Sequence, residues 1–180
     1  MKILVTGARG FVGKNLIAQL ENIKEGREKN SPLAGQPLDL GTTTEELDSF
    51  CKEADFVVHL AGVNRPKDES EFMKGNADFT SQLLGLLEKH NNKATILLSS
   101  SIQAALDNPY GRSKKAGEEI LLEYSKKTGA KVLIYRFTNL FGKWCRPNYN
   151  SVVATFSNNI ANGLDITIND PNVILNLSYI

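Results

Sequence analysis

The 180-residue chain is 41% apolar and 23% charged, with a formal net charge of +1, the balance of an ordinary globular domain. No basic run marks a nucleic-acid partner, and no apolar stretch approaches the ~20 residues that cross a bilayer, so no membrane partner is expected. The two cysteines, Cys51 and Cys145, and the two histidines, His59 and His90, lack metal-ligand spacing; no metal site is expected, and the cysteine usage suits a cytoplasmic location.

The chain opens on "KILVTG" (2–7), a short β-branched run that reads as a first strand rather than a signal peptide. Helical spacing follows at 11–23. Segment 24–42 is blurred by two prolines, glycines and a charge run, and a short second strand is placed near Gln36–Leu40. Helix 43–54, strand 55–62, helix 76–90, strand 94–100, helix 110–129 and strand 131–137 come next in alternation. A helix near 150–162 then leads to "DITIND" and "VILNLSYI", read as two further strands. Continuous apolar strands alternating with helices predict an α/β fold, a Rossmann-type doubly wound parallel sheet. The chain is read as one NAD(P)-binding domain, residues 1–142 as cofactor core and 143–180 as a partial substrate lobe.

Gly7, Gly10 and Gly13 stand between the first strand and the first helix. Glycines there allow a tight turn and close approach of a pyrophosphate to a helix N-terminus. Downstream, Tyr110 precedes Lys114 by four residues, so both project from one helix face. The serines 99–101 end the preceding strand. A serine hydroxyl can steady a developing oxyanion, and a tyrosine can exchange a proton with it. A neighbouring ammonium is expected to draw the phenol's pKa down from its ordinary ~10.

The glycine spacing G-x-x-G-x-x-G, with "TG" in front and Phe11 after the middle glycine, resembles the extended short-chain dehydrogenase/reductases that act on nucleotide sugars. "HLAG" (59–62) resembles the motif closing that branch's fourth strand, and "RFTNLFG" (136–142) its segment after the sixth. The resemblance implies cofactor contacts from Gly7, Arg9, Gly10, Phe11, Val12, Gly13, Asp39, Leu60, Ala61, Gly62, Asn76, Ser99, Tyr110 and Lys114. It implies catalysis by Ser101, Tyr110 and Lys114, and substrate contacts from Ser101, Asn139, Lys143 and Arg146. Trp144 and Tyr149 are candidates to pack on uracil or sugar, or to anchor their loop.

The residues divide on the cofactor. Asp39 at the second strand favours NAD(H), whereas Arg9 in the glycine turn favours a 2′-phosphate. NADP(H) is the preferred expectation, with NAD(H) the other. Ile102-Gln103 follows the serines where nucleotide-sugar dehydratases of the branch carry an Asp-Glu pair, which leaves reduction or epimerisation. "HLAGVNRP", "DNPYGRSK" and "NLFGKWCRPNYNS" resemble the N-terminal reductase domain of the bacterial capsular-polysaccharide family that makes an N-acetyl-L-fucosamine precursor. That resemblance implies NADPH-dependent reduction of the 4-keto group of a UDP-linked 4-keto-6-deoxy sugar, by a homodimer. It also implies a substrate lobe that continues past "NLSYI", and a C-terminal cupin outside these residues. The alternatives are a UDP-sugar 4-epimerase and a dinucleotide-binding regulator without turnover.

Overall fold

The structure is a computed structural model that describes residues 1–25 and 43–180, with the backbone of 34–38. The chain divides into two compact units, Met1–Arg136 and Phe137–Ile180. In the first, β1 (Lys2–Thr6), β2 (Ala34–Leu38), β3 (Phe56–His59), β4 (Thr95–Ser101) and β5 (Val132–Phe137) form one sheet in the order β2-β1-β3-β4-β5. β1 pairs in parallel with both β2 and β3, and β3 pairs in parallel with β4. Chain order reverses on either side of β1, the topological switch point of a doubly wound sheet, where ligand sites form at the carboxyl ends of strands.

Strand alternation explains why both faces of this sheet are covered. Leu4, Val57, Ile96 and Leu98 point to one side, into a core with Leu47 and Cys51 of α2 (Thr44–Glu53), Leu83, Leu84 and Leu87 of α4 (Phe79–Lys89), and Leu121 and Tyr124 of α5 (Pro109–Thr128). Ile3, Val5 and Val58 point to the other side, against Leu20 of α1 (Phe11–Lys24). The period of two thus feeds two cores from the same apolar runs. Burial also pushes the Cys51 thiol up to about 12.

Local signals fix the helix starts. Thr43 and Glu46 form a capping box on α2, with bonds of 3.2 and 2.9 Å. Asn108 caps α5 by accepting from the Gly111 amide at 2.7 Å, and Pro109 occupies the first turn. Gly129, at φ +76°, ends that helix.

Several boundaries differ from the sequence reading. The second strand lies at 34–38, not 36–40, with its Pro37 on the sheet edge, where a missing N–H is tolerated. The third strand stops at His59, because the chain must turn at "LAG" to follow the glycine turn. The helix expected from 76 begins earlier, as α3 (Ser70–Met73), and reaches α4 through a π-helical turn, Lys74–Asp78. The "HLAG" motif closes the third strand of this sheet rather than a fourth, and "RFTNLFG" begins on the fifth rather than following a sixth.

The second unit holds β6 (Asn139–Phe141) and β7 (Leu177–Tyr179), paired in parallel, and α6 (Val152–Ala161), capped by Ser151. "DITIND" forms no strand, and "VILNLSYI" contributes only three strand residues. The apolar side chains that suggested strands there are exposed, Ile174 at 90%, so no packing holds them extended. Among the described residues no helix is long and apolar enough to cross a membrane, and no cluster of ligating side chains could hold a metal.

Candidate active site

The carboxyl ends of β1, β3 and β4 bring most of the expected site residues of the first unit together. After β1 the chain turns at Gly7, at φ +71°, and a Cβ there would lie 2.7 Å from the Ala61 amide nitrogen. A Cβ on Gly13 would lie 2.2 Å from the Gly7 carbonyl oxygen, so the helix can seat against the turn only without one. The Gly10 amide donates to that same carbonyl at 3.0 Å. Gly10 caps α1 without a side chain, leaving the first-turn N–H groups, with half-buried Phe11 and Val12, and exposed Arg9 around an open glycine cradle. The donors and the missing Cβ atoms fit a pyrophosphate.

Leu60, Ala61 and Gly62 follow β3, and Gly62 faces Asn76 and Lys114: a Cβ on it would lie 2.6 Å from Asn76 Oδ1 and 3.5 Å from Lys114 Nζ. Asn76, buried in the π-helical turn, accepts from the Val63 amide at 2.9 Å and donates at 2.9 Å to both the Val63 carbonyl and Ser113 Oγ. Ser113 Oγ passes its proton to the Tyr110 carbonyl at 2.8 Å. Asn76 therefore ties the "LAGV" loop to the first turn of α5, a role its expected cofactor contact does not require. Inserted π turns often mark such sites, because they re-aim a side chain.

His59 sits beneath this layer, fully buried between two threonines. The Ala61 amide donates to Thr6 Oγ1 at 3.2 Å, and that hydroxyl is hydrogen-bonded to His59 Nδ1 at 2.7 Å. Thr80 Oγ1 donates to the Asn76 carbonyl at 2.6 Å and so accepts from His59 Nε2–H at 2.9 Å. The ring is the neutral Nε2–H tautomer. Burial, aided by the charge on Lys114, pushes its pKa down to about 3.

Tyr110 is half-buried in the first turn of α5, its ring 5.7 Å from that of Phe72. Burial raises its pKa, and a hydrogen bond with Ser101 pulls the other way. The expected lowering by the lysine ammonium is therefore corrected: loss of water around the phenol dominates, and the opposing pull comes from Ser101. A raised pKa keeps the phenol protonated, the form a proton donor needs, and makes that proton harder to give up until charge develops on the acceptor. Lys114 donates to the Ser99 carbonyl at 2.7 Å, and burial pushes it down to about 8 against the opposing pull of Glu118. Ser101 Oγ also accepts from the Gln103 amide at 3.2 Å, which fixes its orientation at the end of β4.

Three expected positions belong to the second unit. Asn139 donates from its amide side chain to the Asn176 carbonyl at 3.4 Å. Lys143 Nζ lies 4.3 Å from the Trp144 ring centre, and Arg146 lies 5.4 Å from that of Tyr149. Asp39 lies outside the described residues. Sequence reasoning passed over Ser113, Thr80 and Glu118. Glu118 alone carried a signal, as the next i+4 position after Tyr110 and Lys114.

Residues 3–173 match the NAD dependent epimerase/dehydratase family. The whole chain is 42% identical to 46% of the UDP-2-acetamido-2,6-beta-L-arabino-hexul-4-ose reductase of Pseudomonas aeruginosa. The capsular polysaccharide assembling protein CapF from Staphylococcus aureus superposes on 99% of this chain and 47% of its own, with TM-score 0.84 and 50% identity. RMD from Pseudomonas aeruginosa, complexed with NADPH, covers 99% of this chain and 70% of its own, with TM-score 0.77 and 25% identity. The chain spans about half the length of the first two of these relatives.

Proposed function

Because the chain belongs to the NAD dependent epimerase/dehydratase family, we propose that it is the reductase part of a nucleotide-sugar 4-ketoreductase. In this reading it uses NADPH to reduce the 4-keto group of a UDP-linked 4-keto-6-deoxy sugar. The observation that carries the reading is the placement of protonated Tyr110 beside Ser101, with Lys114 one turn behind on the Ser99 carbonyl. The 42% identity to a hexul-4-ose reductase supports the substrate class, and the NADPH bound to RMD supports the cofactor.

Gly7, Gly10 and Gly13 would hold the pyrophosphate, and Arg9 a 2′-phosphate. When bound, the dihydronicotinamide supplies a hydride to the carbonyl carbon. Ser101 donates a hydrogen bond to the carbonyl oxygen, and Tyr110 delivers the proton that oxygen takes up. Lys114 steadies the phenolate left on Tyr110 and binds the nicotinamide ribose. In the second unit, Asn139, Lys143 and Arg146 bring amide and cationic groups suited to a UDP diphosphate. A homodimer is the proposed assembly.

Consumption of NADPH in the presence of a UDP-4-keto-6-deoxy sugar, followed at 340 nm (roughly the dihydronicotinamide band), tests the reading. Tyr110→Phe is expected to lower the rate at least about 100-fold with NADPH affinity nearly unchanged. Epimerised sugar without net NADPH loss, or full turnover by Tyr110→Phe, overturns it.

A further inference from the structure

Glu118 takes no part in the proton transfer described above, yet it is a carboxylate only 5% exposed, inside the layer that holds Lys114. Burying an ionised carboxylate is costly unless it is paired and hydrogen-bonded. Here both conditions are met. Ser100 Oγ donates to Oε1 at 2.5 Å, and Arg136 of β5 adds a bidentate pair, Nε to Oε1 at 2.9 Å and Nη2 to Oε2 at 2.7 Å. On α5, Tyr110, Lys114 and Glu118 follow one another at helical spacing. Each meets a different serine at the end of β4: Ser101, Ser99 and Ser100 respectively.

We propose that Glu118 is a positioning residue: fixed by Ser100 and Arg136, it supplies the negative charge that keeps Lys114 an ammonium behind Tyr110. The inference rests on the reading of Lys114 as part of the reducing site. Lys114 is surrounded unevenly. Tyr110 on its own helix, His59 below it on β3 and Asn76 from the π-helical turn are neutral, and Ser99 offers a carbonyl dipole. Glu118 is the carboxylate whose charge opposes the loss of the Lys114 proton on burial. Arg136 works in both directions. It holds Glu118 ionised, and its own half-exposed cation offsets part of that charge.

The test is the titration of Lys114 itself, read from the Cε resonance of 13C-lysine-labelled protein and assigned by its absence in Lys114→Met. In Glu118→Gln, which keeps size and hydrogen bonding but removes the charge, Lys114 titrates at lower pH than in wild type. In Arg136→Met it titrates at higher pH where the 13C carboxyl resonance of Glu118 stays that of the ionised form, because the opposing cation is gone, and at lower pH where Glu118 has taken up a proton. With turnover in hand, the ratio of wild-type to Glu118→Gln kcat/KM widens about tenfold between roughly pH 6.5 and pH 8.5. A brace with no electrostatic role would shift the unfolding temperature of both variants and leave Lys114 titrating where it does in wild type. That result overturns the proposal. Should Glu118→Gln not fold, Arg136→Met decides alone, and a Lys114 titration that does not follow the charge state of Glu118 rejects the proposal. The titration needs no turnover, so its failure is distinct from failure of the ketoreductase reading, which NADPH consumption tests separately.

Discussion

Replacing Lys114 by methionine is expected to stabilise the protein while it removes activity. Methionine matches the length of the lysine stem and leaves the surrounding residues in place. Burial holds the Lys114 pKa at about 8 against an ordinary 10.5. At about 1.36 kcal/mol per pH unit, keeping the buried ammonium at neutral pH costs about 3 kcal/mol. Loss of the bond to the Ser99 carbonyl, 2.7 Å long, offsets about 1 kcal/mol of this. The variant is therefore about 2 kcal/mol more stable near neutrality. The sign over pH follows from the depressed folded-state pKa. The unfolded chain holds the proton more tightly, so the lysine's penalty is complete below about pH 8 and disappears as pH rises toward 10.5. Cys51, raised from 9.0 to about 12, acts in the opposite direction at high pH. It is present in both proteins and cancels in their difference. Urea unfolding of wild type and variant across roughly pH 6.5 to 10 gives that difference directly. A variant less stable than wild type at neutral pH, or a gap that does not narrow above about pH 8, refutes the reasoning.

Gly13→Ala forces a methyl carbon to within 2.2 Å of the Gly7 carbonyl oxygen and 2.7 Å of Ala8 Cα. Both are backbone atoms, so α1 must lift off the turn; a loss of about 2 kcal/mol or more and at least about tenfold weaker NADPH binding are expected by thermal unfolding and fluorescence titration. His59, held neutral with its pKa at about 3 rather than 6.5, makes stability present above pH 6.5 drain away as pH falls through that window. His59→Gln should flatten this acid limb in urea midpoints measured between about pH 7 and 4, and an unchanged limb would assign it to other groups.

The period-two and period-3.6 patterns located the sheet and its helices because both cores draw on the same short apolar runs: Leu4 and Val5 face opposite sides. Patterning failed where long-range packing decides. "DITIND" alternates like a strand, but its side chains meet no partner sheet and the backbone stays irregular. The π-helical turn was invisible because one inserted residue leaves helical composition unchanged, and its cause is the set of bonds Asn76 makes to Val63 and Ser113. In the site, glycines and the Tyr110–Lys114 pair were legible since their chemistry depends on residue type and spacing. The direction of the Tyr110 pKa was not, because it is set by how much of the ring is covered.

The neutrality of His59 and the charge on Lys114 are two sides of one arrangement. Both are bases in the same buried layer, and the positive charge of Lys114 is one of the two causes that hold His59 unprotonated. Geometry supplies the other constraint. Thr80 Oγ1 gives its one proton in a bond to the Asn76 carbonyl and so holds the ring proton on Nε2, which leaves Nδ1 to accept from Thr6 Oγ1; a second ring proton would reverse that bond as well as add a charge. Hydrogen bonds thus run in one direction from the "LAG" loop through Thr6, His59 and Thr80 to the Asn76 carbonyl. The one buried cation of this layer among the described residues is then the lysine behind the tyrosine, where the proposed reduction leaves a phenolate. Glu118 lies one turn beyond it and His59 below, so a carboxylate and a ring fixed as neutral decide together where the positive charge rests.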